Sequence, residues 1–318
     1  MAHPYRTFAN YLKERFGTSV YRVPIDAGFD CPNRDGKRAF GGCTFCDARG
    51  SGAPTIETEL NIKEQVSEGA KRITRRYKAK KFLAYFQAFT NTYAPVADLR
   101  RLYDAALDHP DMVGLCIGTR PDCVPDEVLD LLAEYDKKTF VWLEMGLQSA
   151  FNDTLETINR AHTAEEFFDA VRRSKLRGLK VATHLIFGLP GETRKHMMST
   201  VEQVARSGVD GIKIHQLCIY KGTPMEQDYK AGALEPLDED DYIQLVADAL
   251  EMLPAEMVVM RLVAEGTEDE IIAPQWSFQK SRIMEKIDAE MERRGTKQGS
   301  SYSPLSLALS SAAPIIPA

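Results

Sequence analysis

LKVATHLIFGLPGETRKHMMSTVEQVARSGVDGIKIHQLCIY, residues 179–220, holds the fold decision in one stretch. A β-rich run (LKVATHLIFG, 179–188) meets a turn at Gly188, Pro190 and Gly191, a helix-length polar segment follows, and a second β-rich run (GIKIHQLCIY, 211–220) closes the unit. Strands joined through a helix lie parallel, because a parallel pair needs a long crossover. The rhythm repeats upstream, with strand candidates at VYRVPID (20–26), KFLAYFQAF (81–89), MVGLCIG (112–118) and TFVWLEMG (139–146). Between them, Ile62, Val66, Ala70, Ile73 and Tyr77, and later Phe167, Phe168 and Val171, recur at helical spacing and put apolar side chains on one face. The pattern predicts an α/β fold, a partial (βα)6 TIM-like barrel with helices outside and functional groups in the loops at the strands' carboxyl ends.

After the sixth strand, DYIQLVADALEML (241–253) reads as a further amphipathic helix, and EMVVMRLVAEG (256–266) as an extra strand closing part of the barrel mouth. The chain therefore divides into an N-terminal extension (1–19), a barrel core (20–253), a C-terminal extension packing on the barrel (254–294) and a tail (295–318). That tail, rich in Ser, Ala and Pro, is expected to be flexible.

Composition narrows the classes. The 318 residues, 44% of them hydrophobic, suffice for one large core. The start MAHPYRTFANYLKERF lacks a signal-peptide pattern and no apolar run reaches about eighteen residues, which predicts a cytoplasmic protein with no membrane partner. A net charge of -6 argues against a generally basic nucleic-acid coat. Local basic runs remain, KRITRRYKAKK (71–81) and RRSKLRGLK (172–180), either solvated helix faces or contacts to an RNA backbone.

Six cysteines are too few for a disulfide scaffold, and three of them, Cys31, Cys43 and Cys46, crowd into a glycine-rich loop directly after the first strand. One Cys-x-x-Cys pair with one outlying cysteine is a poor match to the four-ligand zinc pattern, unless His3 or a remote cysteine completes it. Three ligands on a [4Fe-4S] cluster leave one iron open, which S-adenosylmethionine (SAM) can chelate through its amino and carboxylate groups. Cys116, Cys123 and Cys218 read as small buried residues, Cys123 alone in a strand-end loop.

Further motifs accompany the cysteines. Phe45 precedes the last of them, eleven residues separate Cys31 from Cys43, and GTRPDCV (118–124), EMGLQS (144–149), INRAHT (158–163) and HLIFGLPGET (184–193) follow. With KIHQLCIYKGTPMEQDYKAG and RLVAEGTEDEIIAPQW, they make about residues 4–293 resemble the YhcC/YtqA-like radical SAM family, related to the radical SAM part of the Elongator catalytic subunit. The resemblance implies a [4Fe-4S] cluster on the three cysteines, SAM as cofactor, and an electron donor such as a flavodoxin or ferredoxin. Some relatives in the YtqA-like branch are associated with wobble-uridine modification of tRNA, converting a carboxymethylaminomethyl group toward an aminomethyl group, so tRNA is the implied partner.

The same resemblance places Thr90 and Asn91 against the amino end of SAM, although QAFTNT replaces a glycine-rich version. It places Gln148 on the ribose hydroxyls, where an amide donates and accepts, and Arg160 on the methionyl carboxylate as a two-pronged clamp. His184 occupies a strand position that is often acidic in relatives and touches the ribose. Glu144 shares a strand face with Gln148 and is a candidate to orient it, or else forms a salt bridge inside the barrel. Lys213 and His215 share a face of the sixth strand, and Lys221 and Arg261 offer charge. The Gly188–Gly191 turn is expected to let backbone approach the adenine. The competing readings are a radical SAM enzyme of a small metabolite and a non-enzymatic zinc or iron-sulfur protein. A basic 71–81 segment beside the barrel mouth would favour RNA over a metabolite.

Overall fold

The computed structural model describes residues 3–304 apart from 51, 54, 55, 57, 58 and 265. In chain order the first half runs α1 (Phe8–Phe16), β1 (Val20–Ile25), α2 (Ile62–Tyr77), β2 (Lys81–Phe86), α3 (Val96–Leu107), β3 (Met112–Thr119), α4 (Asp126–Asp136), β4 (Phe140–Gln148) and α5 (Asn152–Thr157). The second half runs α6 (Ala164–Leu176), β5 (Lys180–Phe187), α7 (Arg194–Arg206), β6 (Gly211–Gln216), β7 (Ile219–Tyr220), α8 (Pro224–Lys230), α9 (Glu239–Met252), β8 (Val258–Arg261), β9 (Ile271–Ala273) and α10 (Lys280–Arg294). One sheet takes seven strands in the order β1-β2-β3-β4-β5-β6-β8, every pair parallel. This is a half-barrel of the expected kind, with all six expected strands in sequential order.

Three boundaries differ from the expectation. The run 211–220 is not one strand: it breaks after Gln216, and β7 leaves to pair antiparallel with β9 in a separate two-stranded sheet. The second strand ends at Phe86, and Phe89 adopts φ 59 where its N–H donates to the Gly50 carbonyl at 3.1 Å. The run 256–266 yields β8, which extends the sheet beside β6 as an edge strand rather than closing the mouth, so the C-terminal extension starts inside the barrel sheet itself.

Alternation along the strands builds two cores. Val23, Ile25, Leu115, Ile117, Val141 and Leu143 face outward against Val66, Leu99, Phe167 and Val171 of the helices. The opposite face turns Leu83, Cys116, Phe140, Trp142 and Ala182 into the barrel, where Phe8 and Leu12 of α1 pack on them. The N-terminal extension is therefore the stopper of the barrel's amino end. Thr7 caps its helix by accepting from the Asn10 N–H, and Val259 of β8 donates its N–H to the Arg6 carbonyl at 2.8 Å. Trp142 is fully buried with its ring 5.2 Å from Phe8, and Gly211 faces it so closely that an added Cβ would lie 2.7 Å from the indole.

The stretch after Gly295 begins as a packed return rather than a tail. Gln298 is buried, donates to the carbonyls of Pro254 (2.6 Å) and Met257 (2.8 Å), and accepts from the Arg6 N–H at 2.8 Å. The remainder of the expected tail, 305–318, lies outside the described residues. Among the described residues no helix is long and apolar enough to cross a membrane. The basic segment 71–81 forms the last turns of α2 and the approach to β2, with Arg75, Arg76, Lys78 and Lys80 exposed. Its end therefore lies at the amino edge of the sheet, opposite the loops that follow the strands.

Because Leu12 is buried under the stopper, Leu12→Ala should cost about 2–5 kcal/mol of unfolding free energy. Leu176→Ala, at a side chain left 75% exposed, should change it by less than about 0.5 kcal/mol. Urea unfolding of both variants checks the pair.

Candidate functional site

The carboxyl ends of the strands frame a cavity of about 500 Å³ whose wall includes Cys31, Cys43 and Cys46 together with Thr90, Arg120, Gln148, Arg160 and His184. The cysteine loop is ordered by its own backbone: Arg34 N–H donates to the Cys31 carbonyl (2.7 Å), Gly42 N–H to Asn33 (2.8 Å) and Cys46 N–H to Cys43 (3.0 Å). The INRAHT segment clamps it from the far side. Thr44 N–H donates to the Ile158 carbonyl (3.0 Å), and the Asn159 amide donates to the carbonyls of Gly42 (2.7 Å) and Phe40 (3.0 Å). None of the three cysteines is disulfide-bonded among the described residues, and burial, followed by the neighbouring Cys43, pushes the Cys46 thiol up to about 11. A metal that displaces the proton must offset that penalty.

Among the described residues no three His, Cys, Asp or Glu side chains converge at the spacing of a single ion. A four-iron cluster binds each thiolate at a different iron, so its ligands need not meet at a point. His3, the expected alternative zinc ligand, is engaged elsewhere, 2.7 Å from Asp288 of α10. Cys116 packs in the inner core and Cys218 beside Ala264 and Ile271.

Gln148 and Arg160 stand together, and a glycine makes room for both. Gln148 ends β4 at φ 75, and an added Cβ on Gly146 would come within 2.7 Å of both the Gln148 Nε2 and the Arg160 Nη2. Arg160 donates through Nη2 to the Gly146 carbonyl (2.8 Å) and through Nη1 toward Cys43 Sγ (3.5 Å). Its Nε, like Gln148 Oε1, is buried with no hydrogen-bond partner among the described residues. Thr90 reaches the wall, but Asn91 does not: it is fully buried, its amide donates to the Gly118 carbonyl at 2.8 Å, and its own carbonyl accepts from Tyr103. The glycines of the Gly188–Gly191 turn also stay off the wall, which Ile186 supplies instead. Arg120 went unassigned in the sequence, although it sits in the GTRPDCV motif. It is buried on the wall, held by both oxygens of Asp122 (2.9 and 3.0 Å), and its Nη1 has no hydrogen-bond partner among the described residues. A cation fixed two residues before an acid at a strand end was the available signal.

Deeper in the cavity a charged layer crosses the barrel. Lys213 donates to Tyr85 Oη (2.9 Å) and to Glu144, Tyr85 Oη donates to Glu144 (3.1 Å), and His184 Nε2 lies 3.1 Å from the same carboxylate. Arg22 is 3.7 Å from the other Glu144 oxygen. Glu144 thus forms the barrel salt bridge and does not orient Gln148. Burial alone would raise its carboxyl, but Lys213, His184 and Arg22 hold it well below the ordinary range. Burial brings Lys213 down to about 7 against the pull of Glu144, and burial with Lys213 brings His184 down to about 4. His215 also faces the cavity, its Nε2 without a hydrogen-bond partner among the described residues, and burial with Arg261 lowers it well below its usual value. Lys221 is exposed outside this layer.

Residues 34–204 match the radical SAM superfamily, and residues 209–293 match the radical SAM C-terminal domain. The chain belongs to the radical SAM superfamily. Among its relatives, the uncharacterized protein YtqA of Bacillus subtilis is 45% identical over 95% of this chain and 94% of its own length, and the protein YhcC of Escherichia coli is 42% identical over 92% and 94%. A tRNA uridine(34) acetyltransferase of Methanocaldococcus jannaschii is 30% identical over 58% of this chain, which spans 34% of that protein. In fold, the chain resembles an archaeal Elp3 of Methanocaldococcus infernus (TM-score 0.69, 18% identity, 88% of this chain and 64% of that one). It also resembles methylornithine synthase (TM-score 0.52, 12% identity, 90% and 85%).

The radical SAM cofactors fit the residues present. Three thiols open on one cavity, and beside them Gln148 Oε1, Arg160 Nε and Arg120 Nη1 are buried polar atoms that need partners. Each such atom left unsatisfied costs about 1–3 kcal/mol, and a ribose, an amine or a carboxylate brought beside them removes that cost.

Gly146→Ala should push Arg160 and Gln148 apart and weaken SAM binding to the reconstituted protein by about tenfold or more, about 1.4 kcal/mol, read by equilibrium dialysis. Acid should act through His184. Its folded value lies below the unfolded one, so the unfolded state takes the proton first, and stability present above about pH 6.5 is lost as pH falls toward 4. Between pH 7 and 5 the loss should be about 1–2 kcal/mol, and chemical unfolding of His184→Gln should show a flatter pH slope.

Proposed function

We propose that this chain holds a [4Fe-4S] cluster on Cys31, Cys43 and Cys46, cleaves SAM reductively, and modifies the wobble-uridine side chain of tRNA. The observation that carries the cofactor reading is the shared cavity in which three thiols face buried, unpartnered groups of Gln148, Arg160 and Arg120. When bound, the cluster and SAM supply a 5′-deoxyadenosyl radical by one-electron cleavage of a sulfonium carbon–sulfur bond.

The chain does the rest. Arg160 and Arg120 offer charged donors for a carboxylate, Gln148 an amide for the ribose hydroxyls, and Thr90 a small polar wall. His184 and His215 stay neutral at physiological pH and so present hydrogen-bonding nitrogens rather than charge to the deeper end of the cavity. The apolar stopper below them excludes water from the amino side. An external one-electron donor, a flavodoxin or ferredoxin, completes the reaction.

The tRNA reading draws its support from relatives named as tRNA uridine(34) acetyltransferases. The position of the basic segment favours the second reading, a small metabolite, because Arg75, Arg76, Lys78 and Lys80 lie at the amino edge and not at the mouth.

The test is anaerobic reconstitution with iron and sulfide, dithionite reduction with SAM, and chromatography for 5′-deoxyadenosine. Product is expected from the native chain and none from Cys46→Ala. Full cleavage by that variant would reject the ligand assignment, and a native protein that holds one zinc and no cluster would reject the enzyme. Arg160→Lys should keep the cluster but bind SAM about tenfold more weakly, since an ammonium lacks the planar fork. Nucleoside mass spectrometry of added tRNA then separates the two substrate readings, with an altered uridine 34 expected.

A further inference from the structure

The eleven residues between Cys31 and Cys43 form a closed hairpin, with Asp35 bridged to Phe40 in antiparallel fashion. Its closure turns Asn33 and Arg34 back onto the cysteines. Asn33 Nδ2 lies 3.4 Å from Cys43 Sγ and donates to the Asn159 carbonyl at 2.5 Å. Arg34 Nη2 lies 3.4 Å from Cys46 Sγ. The guanidinium is fixed on every side: it donates to the carbonyl of Asp47 and, at 3.5 Å, to those of Cys46 and Ala48, and it sits 5.2 Å from the centre of the Phe89 ring. Gly42 packs so closely that an added Cβ would be 3.0 Å from Arg34 Nε. The nearby Asp47 carboxylate also faces Arg49 at 3.4 Å, and Arg49 is in turn paired with Glu270 at 2.5 Å, so of these cations it is Arg34 that is directed at a cysteine sulfur.

We propose that this spacer sets the reduction potential of the cluster, and that Arg34 is its principal tuning residue. The inference rests on the cluster reading above. One electron from an external low-potential reductant makes the bound cluster more negative by one charge, with no bond broken and no proton required. A fixed cation and an N–H directed at a ligand sulfur favour the more negative state, which raises the potential and eases reduction. Partial burial strengthens the effect relative to water.

The experiment is an EPR-monitored redox titration of the reconstituted full chain without SAM, comparing the native protein with Arg34→Gln and Arg34→Lys, with iron and sulfide content measured in each. Arg34→Gln is expected to lower the reduced-to-oxidised ratio at a fixed solution potential about tenfold, about 59 mV for one electron. Arg34→Lys, which keeps charge but not the planar donor, should fall between. Equal potentials in native and Arg34→Gln proteins with full clusters overturn the proposal. So does loss of the cluster from both variants, which would make Arg34 a loop clamp alone. A native chain that takes up no cluster overturns the functional reading instead, which keeps the two failures apart.

Discussion

Glu144 is the constraint around which the barrel is organised. Its carboxylate has no exposed surface, sits on β4, and is met by Arg22 from β1, Tyr85 from β2, His184 from β5 and Lys213 from β6. A charge buried this deeply is tolerable only when paired and hydrogen-bonded, and removing one partner of such a pair generally costs about 3–5 kcal/mol. The strands on either side of the barrel are therefore tied across its interior, not merely along the sheet. Below this layer the interior is apolar, with Trp142, Phe140 and Phe8 in contact. Above it the interior opens into the cavity that the cysteines line. The boundary between a dry half and a chemically equipped half is one residue deep.

The upper half owes its shape to backbone conformations that side chains seldom adopt. Gln148, Asn159 and Ala161 all have positive φ. Such geometry persists only where surrounding contacts over-determine it, and here they do: the Asn159 amide holds two carbonyls of the cysteine loop, and Arg160 spans from Gly146 to Cys43. The loop after β4 and the loop after β1 consequently form one unit, although more than a hundred residues separate them.

Much of this was legible before the structure. Six strands follow from apolar alternation and turn residues, since burial on one or both faces dictates both. The three cysteines follow the first strand and Gln148 ends the fourth, so converging strand ends explain their shared wall, whereas the place of Arg160 was implied only by the family resemblance. What stayed hidden depends on partners distant in sequence. Ile219 and Tyr220 look continuous with β6, yet β9 draws them away across about fifty residues. Residues 1–19 read only as an extension, and it is the amino end of the barrel that makes Phe8 and Leu12 a stopper. Asn91 carries the right chemistry in the right loop, but its side chain is fully buried and its amide N–H goes to the Gly118 carbonyl. Glu144 lies on the expected face, and spacing alone could not show that four other strands supply its partners.

The stopper has a kinetic consequence. With Phe8, Leu12 and Trp142 filling the amino end, nothing runs straight through the barrel, so arrival at His184 or His215 and departure from them share the openings left on the other faces of the cavity.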